Sequence, residues 1–260
     1  FDILYNFDIE DIATEIVNDI KCEKKFGFCL NQGYPSAINL SAEYYLNTLF
    51  DDETKKFNKK TYQEMIFNIA ELEYNKEHHK IYLTNEEKIY GENFLKNNDL
   101  KNGNIIGIHI GSSKRWPSKR WHIDNIKEFI KKSKNKGYDI ILFSGKDDVE
   151  DMSKLNNELE ISNIQVFYNN ANNTDKEFLS LINVCDKIIT GDTFALHAAL
   201  ALNKKTIGLF FCTNPNEIED YGILKKLVSP MLYNFFPNKS DQYSKELTKS
   251  ISAQEVLEAL

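Results

Sequence analysis

The sequence predicts an α/β protein whose second half is a doubly wound parallel sheet covered by helices. Short apolar runs alternate with amphipathic stretches, which is the pattern of βαβ units. Five such runs occur between residues 105 and 211, namely "IIGIHI", "YDIILFSG", "IQVF", "KIITG" and "KTIGLFF", and helical patterns follow the first four. Five βα units within roughly 110 residues is the spacing of a nucleotide-binding domain.

The first half has a sparser pattern. Strands are predicted at Ile3–Phe7 and at "KKFGF", and helices at Asp11–Ile20, over much of 41–72, and from a cap at Thr84 to about Asn97. The polar stretch "NNDLKNGN" shows no periodicity and predicts a domain linker.

The predicted domains follow from that linker. Residues 1–97 are a partial N-terminal Rossmann-like domain, because the chain starts inside a strand pattern without a Met, as a fragment or processed piece would. Residues 98–245 are a C-terminal Rossmann-like domain, and 246–260 form a helix for which packing back on the N-terminal domain is one expectation.

Composition excludes several classes of protein. The formal charge of −7 over 260 residues and a pI near 5.4 argue against nucleic-acid binding, since no long basic stripe displaces counterions. Four scattered cysteines without metal-site spacing indicate reduced thiols and no dedicated metal site. No run has the apolar length of a membrane span, which predicts a cytoplasmic protein without a transmembrane segment.

Sheets of this type bind ligands beyond the carboxyl ends of their strands. Four polar loops are predicted there, at 111–121, 144–148, 190–193 and 212–217. The first, "GSSKRWPSKRW", holds both tryptophans of the chain and its densest positive charge. The position of this loop predicts that it contacts a small anionic ligand.

The first loop offers a phosphate site. Gly111, Ser112 and Ser113 leave the strand with small side chains and exposed amides, and Lys114 follows as a point charge. The alternative is a solvated turn anchored by its tryptophans.

The third loop adds a helix start. Asp192 stands at the predicted N-cap, and Thr193 supplies a hydroxyl and an amide where a helix attracts anions. His197 lies four residues after Thr193 on the same helix face, although a core histidine is the slightly favoured interpretation. Asp147 follows Gly145 where a carboxylate accepts ribose hydroxyls, or where it simply caps the next helix.

Three stretches resemble glycosyltransferase family 9, the ADP-heptose:lipopolysaccharide heptosyltransferases and their relatives. "KRWPSKRW" is similar to the family's Lys/Arg-x-Trp-Pro-x-x-x-Trp segment, and "ITGDTFALHAALAL" to its Asp-Thr-Gly-x-x-His-x-x-x-Ala segment. "GLFFCTNPNEIEDYG" resembles, more loosely, its Phe-Gly-Pro-Thr-Asp-Pro segment and the following Tyr-Gly. The N-terminal "FDILYNFD", "IATEIV" and "KKFGF" also resemble the acceptor-side domain of that family.

The resemblance implies a GT-B fold, with two Rossmann-like domains of parallel sheets, the N-terminal one incomplete here. It implies an inverting transferase that moves a heptose-like sugar from ADP-heptose or a similar nucleotide sugar to a lipopolysaccharide or other glycan acceptor, with no tightly bound cofactor. An acceptor anchored in a membrane would place the protein at the inner leaflet, as a peripheral contact.

The resemblance also implies roles for residues. Lys114, Asp192 and His197 would be catalytic. The donor would contact a larger set, Gly111, Ser112, Ser113, Lys114, Asp147, Asp192, Thr193, His197 and Thr213.

Three departures from the family pattern, together with a missing general base, leave a second interpretation of the function open. Phe194 replaces the family's glycine after Asp-Thr, Phe211 replaces a later glycine, and Asn214 replaces an Asp. The family's general base, an Asp near the start of the N-terminal domain, has no counterpart. A nucleotide-sugar binding module without catalysis is therefore the alternative, and another GT-B activity such as epimerisation is a third option.

Overall fold

The computed structural model describes residues 1–101 and 103–260 and has the predicted α/β fold. It divides into two compact units, the first made of residues 1–77 and 214–219 and the second of residues 78–213 and 220–260. The boundary therefore differs from the predicted linker at 97–104, of which Asn102 lies outside the described residues.

The helix before the predicted linker belongs to the second unit. This helix, Asn85–Asn97 (α5 in chain order), starts at a capping box in which Thr84 and Glu87 bond each other's backbone, as predicted. Gly91 brings it against the helix Asp175–Asn183, because its N–H donates to Ser180 Oγ at 2.9 Å. A Cβ on Gly91 would lie 2.5 Å from the Ser180 carbonyl oxygen.

The first unit is a three-stranded sheet with four helices. Its elements are β1 Ile3–Asn6, α1 Asp11–Asp19, β2 Lys24–Asn31, β3 Tyr34–Ala37, α2 Leu40–Phe50, α3 Asp52–Phe57 and α4 Tyr62–Ile69. The strand order is β1-β2-β3, with β2 parallel to β1 and antiparallel to β3. The prediction of a parallel sheet is therefore wrong at β3, because Gln32 and Gly33 both take positive φ and close a tight hairpin.

The segment 214–219 is tied to the first unit by buried amide groups. Asn214 Nδ2 donates to the carbonyl of Asn58 at 2.9 Å, and the Asn58 side chain is itself buried. Phe28, Ala42 and Ile69 form the core of this unit.

The second unit contains the predicted parallel sheet. Its strands are β4 Ile105–His109, β5 Asp139–Phe143, β6 Phe167–Tyr168, β7 Lys187–Gly191, β8 Lys205–Phe210 and β9 Leu224–Val228. They lie in the order β6-β5-β4-β7-β8-β9, all parallel. The sequence did not predict β9, whose pattern is polar.

Helices cover both faces of this sheet. After α5 they are α6 Ile123–Lys134, α7 Val149–Ile161, α8 Asp175–Asn183, α9 Phe194–Ala201, α10 Leu232–Phe235, α11 Lys245–Lys249 and α12 Ala253–Ala259. Alternate residues of each strand face opposite cores, so that Ile106 and Ile108 pack with α6 while Ile105 packs with α5 and α8.

The C-terminal segment completes one of these cores. Leu247, Ile251 and Val256 are fully buried in it, and α12 packs on α6 within the second unit. Residues 246–260 thus belong to the second unit, and their packing on the N-terminal domain stays a prediction. Trp121 is buried in the same core and donates its indole N–H to the Ile251 carbonyl at 2.8 Å.

All four cysteines are free thiols. Cys185 and Cys212 are buried in the second unit, and burial raises the pKa of both, to about 12 for Cys212. Cys22 and Cys29 are half-buried in the first unit. Among the described residues, no helix has the length and apolar character needed to cross a bilayer.

Replacing Trp121 with Phe should lower the free energy of unfolding by about 1–3 kcal/mol, because the change removes the indole hydrogen bond to the Ile251 carbonyl and leaves part of a buried side-chain volume empty, although Asn125 Nδ2 still donates to that carbonyl at 2.8 Å. Urea denaturation followed by far-UV circular dichroism measures this. Trp116→Phe is the matched control, since Trp116 is half-buried, and we expect a change within about 0.5 kcal/mol. Equal losses in the two variants would contradict the assignment.

Candidate functional site

A polar cavity of the second unit opens where the direction of chain progression in the sheet reverses. Strands β4 and β7 are neighbours, and the chain leaves them toward opposite edges of the sheet, which is where such sheets bind ligands. The cavity measures about 610 Å³. It is lined by His109, Ser112, Ser113, Trp116, Lys119, Gly145, Lys146, Asp147, Asp148, Asp192, Thr193 and Phe194.

Two glycines let the loop 111–121 lie directly against the strand ends. A Cβ on Gly191 would stand 1.9 Å from the carbonyl oxygen of Lys119, and one on Gly111 would stand 2.0 Å from Oδ2 of Asp148. Any larger residue at these positions would push the loop away. Gly111 thus serves close packing and is buried, whereas the sequence predicted exposed amides there.

Lys119 carries the charge that meets the third loop. A short 3₁₀ turn at Pro117–Lys119 brings Lys119 back over the sheet, where its Nζ lies 3.1 Å from Asp192 Oδ2. Both side chains are largely shielded, with 20% and 14% of their surfaces exposed. The Lys119 ammonium also lies 5.8 Å from the centroid of the Trp116 ring. Sequence reasoning missed Lys119, although the helical return after Pro117 was a signal that could have found it.

Lys114 lies at the rim and not in the wall of the cavity. Its ammonium is 2.9 Å from Asp147 Oδ1, and the two side chains are 80% and 56% exposed. The hydrogen bond to Asp147 raises the pKa of Lys114. Asp147 and Asp192 line the same cavity, and Lys114 is linked to that cavity by its ion pair with Asp147.

The start of α9 differs from the prediction by one residue. Thr193, and not Asp192, is the N-cap, and its side chain makes no capping bond. The Thr193 hydroxyl instead lies 3.1 Å from Thr190 Oγ1 and 3.3 Å from His109 Nδ1. The first-turn amides of α9 therefore have no side-chain cap where the helix meets the cavity.

His197 is half exposed, so the favoured interpretation of a core histidine is wrong. Its Nε2 lies 3.8 Å from Asp192 Oδ1. Burial lowers the pKa of His197, and the charge of Asp192 opposes that effect. The His197 carbonyl is 3.3 Å from His79 Nε2, and His78 Nε2 is 2.8 Å from the Leu200 carbonyl, so a segment before α5 runs along α9.

Behind the cavity lies an ionic network that the sequence did not reveal. Arg120 Nη1 is 2.8 Å from Asp151, its Nη2 is 3.6 Å from Asp148, and its Nε donates to Ser112 Oγ at 3.2 Å. Burial raises the pKa of Asp148. Ser112 is therefore held by protein, whereas Ser113 is exposed at the cavity.

The fourth loop contributes less than predicted. Thr213 is not among the residues that line the cavity, and its hydroxyl oxygen is buried without a hydrogen-bond partner. Among the described residues there is no group of three or more His, Cys, Asp or Glu side chains arranged to hold a metal ion.

Comparison with known proteins identifies the family. Residues 45–247 match the model of glycosyltransferase family 9 (heptosyltransferase). The chain belongs to glycosyltransferase family 9. This family 9 chain is 30% identical over 111 residues to lipopolysaccharide heptosyltransferase 2 of Salmonella typhimurium (strain LT2), across 42% of the chain and 30% of that protein.

Two solved structures share the fold. A family 9 glycosyltransferase from Veillonella parvula superposes with a TM-score of 0.72 at 17% identity, over 99% of this chain and 72% of that one. The E. coli ADP-heptose lipopolysaccharide heptosyltransferase II superposes with a TM-score of 0.55 at 22% identity, over 69% of this chain and 51% of that one. The family 9 chain thus spans about half or less of the two heptosyltransferases it matches. The predicted family and GT-B class are confirmed.

The partly buried imidazole of His109, in the wall of the cavity, should make the stability of this family 9 chain depend on pH. Burial, helped by the nearby Arg120 charge, lowers the pKa of His109 to about 4. The unfolded chain, with a pKa near 6.5, binds the proton first on acidification, so stability is full above pH 6.5 and falls as the pH drops toward 4.

Between pH 7.5 and pH 5, we expect the free energy of unfolding to fall by on the order of 2 kcal/mol more in the wild type than in His109→Gln. Urea unfolding of both proteins at the two pH values measures the difference. Parallel losses in wild type and variant would show that folding does not lower the pKa of His109.

Proposed function

We propose that this family 9 chain binds a nucleoside diphosphate sugar in the cavity between the ends of β4 and β7, and so supplies the donor half of a glycosyl transfer. The observation that carries the proposal is the convergence of Lys119, Asp192 and the uncapped start of α9 on one cavity. A cation and free helix amides together form a site suited to phosphate.

The diphosphate would lie between Lys119 and the first turn of α9. Lys119 is held at the cavity wall by Asp192, so a ligand oxygen need not immobilise a free side chain. Lys114 is solvated and paired with an exposed carboxylate, which suits a rim cation that turns toward the donor when the donor enters. His197 would support the contact by fixing the Asp192 carboxylate from its other oxygen.

The nucleoside would extend along the turn after β5. Asp147 stands on that turn and would accept the ribose hydroxyls. A second cavity of about 630 Å³ lies on the other side of the same turn, with walls that include Tyr90, Phe94 and Tyr168. Its lining includes Ser144 and Asn169, and the Asn169 side chain accepts from the Ser144 N–H at 2.9 Å and donates to the Ser144 carbonyl at 3.1 Å. Aromatic walls around fixed polar groups suit a planar base.

The transfer itself would proceed by direct displacement. An acceptor hydroxyl attacks the anomeric carbon, the bond from that carbon to the diphosphate oxygen breaks, and the electron pair leaves with the diphosphate. Lys119 and the α9 amides would stabilise the charge of the leaving group. Attack opposite the leaving group inverts the anomeric centre, and the hydroxyl proton would pass to a general base outside the donor site, a role for which the family's Asp has no counterpart in this sequence.

Family membership supports a heptose-like sugar and a lipopolysaccharide or other glycan acceptor. The matched relatives are named for heptose transfer to lipopolysaccharide. No metal is proposed in this donor set, because an ammonium group and helix amides supply the charge.

Lys119→Ala should weaken ADP binding about ten- to a hundredfold, because a charge-assisted contact contributes ~1.5–3 kcal/mol. Lys114→Ala should weaken it less, since its ammonium is solvated. Isothermal titration calorimetry with ADP measures both, and Lys154→Ala, an exposed lysine on α7, is the control. If Lys119→Ala binds ADP as tightly as the wild type, the diphosphate does not bind in this cavity.

Phe194 should select the size of the donor sugar. Its ring is 55% exposed at the cavity, 5.9 Å from the Phe178 ring, where the family pattern has glycine. We expect Phe194→Ala to raise the affinity for ADP-heptose relative to ADP by roughly tenfold, because space opens beside the sugar while the α9 amides stay.

Competition titrations of ADP-heptose against ADP measure that ratio, with Tyr243→Ala, an exposed aromatic residue elsewhere in the unit, as the control. An unchanged ratio in Phe194→Ala would place the sugar away from this ring.

A further inference from the structure

Three lysines lie near the amino ends of β7, β8 and β9, at the end of the strands opposite the donor cavity. Lys187, Lys205 and Lys225 line a cleft of about 250 Å³ there, together with the end of α12. The proposed donor site uses the carboxyl ends of the strands, so the two hollows share no lining residue.

Strand register places the three side chains on one face of the sheet. Lys187 pairs directly with Lys205, and Lys225 pairs with Ile207, two residues after Lys205. Residues paired across parallel strands, and residues two apart along a strand, point to the same side. This is the face covered by α6 and α12, since Ile207 packs in that core.

No Asp or Glu side chain is among the described residues that line this cleft. Within residues 1–101 and 103–260, Lys205 and Lys225 make no ion pair. Like charges on directly paired residues repel each other, so the arrangement costs stability without a counterion. It stands out in a chain whose net charge is −7.

Lys187 is held in position at the cleft. Its Nζ donates to the Leu260 oxygen at 2.8 Å and lies 5.6 Å from the centroid of the Tyr138 ring. A cation held in place beside two exposed cations is suited to an anion with several oxygens.

We propose that this cleft is a second anion site, which binds a phosphate group carried by a soluble phosphate ester or by a lipid headgroup. Phosphate offers three or more acceptor oxygens to three ammonium groups, whereas a single carboxylate would leave one ammonium unpaired. The site is independent of the proposed donor binding, because its lysines lie at the amino ends of the strands and the donor cavity lies at their carboxyl ends.

Pyrophosphate is the probe for the soluble source. Calorimetric titration of the full chain, with saturating ADP present, should show pyrophosphate binding that weakens at least tenfold in the double variant Lys205→Gln, Lys225→Gln. The control is Lys131→Gln, Lys136→Gln, which removes the same charge from exposed lysines elsewhere in the unit. The donor-site variant Lys119→Ala should keep this binding, so failure of the donor proposal and failure of this one are distinguishable.

Vesicles test the lipid source. Flotation with phosphatidylcholine vesicles containing phosphatidic acid should recover the wild-type chain and lose the Lys205, Lys225 double variant when the phosphate belongs to a lipid. Binding of pyrophosphate alone, with no flotation, identifies a soluble ester. The proposal is overturned when neither probe binds, or when the control double variant loses binding to the same extent.

Discussion

The contact between Gly191 and the carbonyl of Lys119 sets the geometry of the candidate site. The loop 111–121 lies so near the end of β7 that a single methyl group at Gly191 would overlap it. That proximity carries the Lys119 ammonium to the Asp192 carboxylate and closes one wall of the cavity. The buried Trp121 holds the far end of the loop, so the loop is anchored on both sides of its basic residues.

This anchoring explains how an acidic protein concentrates positive charge in one turn. Lys119 and Arg120 each meet carboxylates, Asp192 for the lysine and Asp148 and Asp151 for the arginine. A partly shielded cation that already has a partner does not need to be desolvated again when a ligand arrives. The solvated Lys114 and Arg115 remain at the rim, where charge acts on approach more than on final binding.

Periodicity predicted the second-half sheet because each of its first strands is a continuous apolar run between helical patterns. Strand β9 was not predicted, because its sequence "LKKLV" lies at the edge of the sheet and contains two lysines, which interrupt the apolar pattern. The domain boundary was predicted at the wrong place because the polar stretch after α5 resembles a linker. The packing of Gly91 on α8, which joins α5 to the second unit, is a tertiary contact that leaves no pattern in the local sequence.

The same distinction holds at the site. Spacing predicted that Thr193 and His197 share one face of α9; in the structure Thr193 is the N-cap of that helix, and His197 Nε2 lies 3.8 Å from Asp192 Oδ1. It assigned the diphosphate lysine to Lys114, where the family pattern puts it, and could not show that a 3₁₀ turn returns Lys119 to Asp192. Sequence reasoning did not single out His109, because this half-buried residue of the cavity wall lies at the end of an apolar strand pattern.

The distribution of thiols has a practical consequence for studying the two units separately. Burial and raised pKa values keep Cys185 and Cys212 protonated and out of reach of solvent, and both belong to the second unit. Cys22 and Cys29 are partly accessible and belong to the first. A maleimide dye at neutral pH would therefore label the native chain on one side of the unit boundary, and ligand effects on that dye would report the smaller unit without any engineered cysteine.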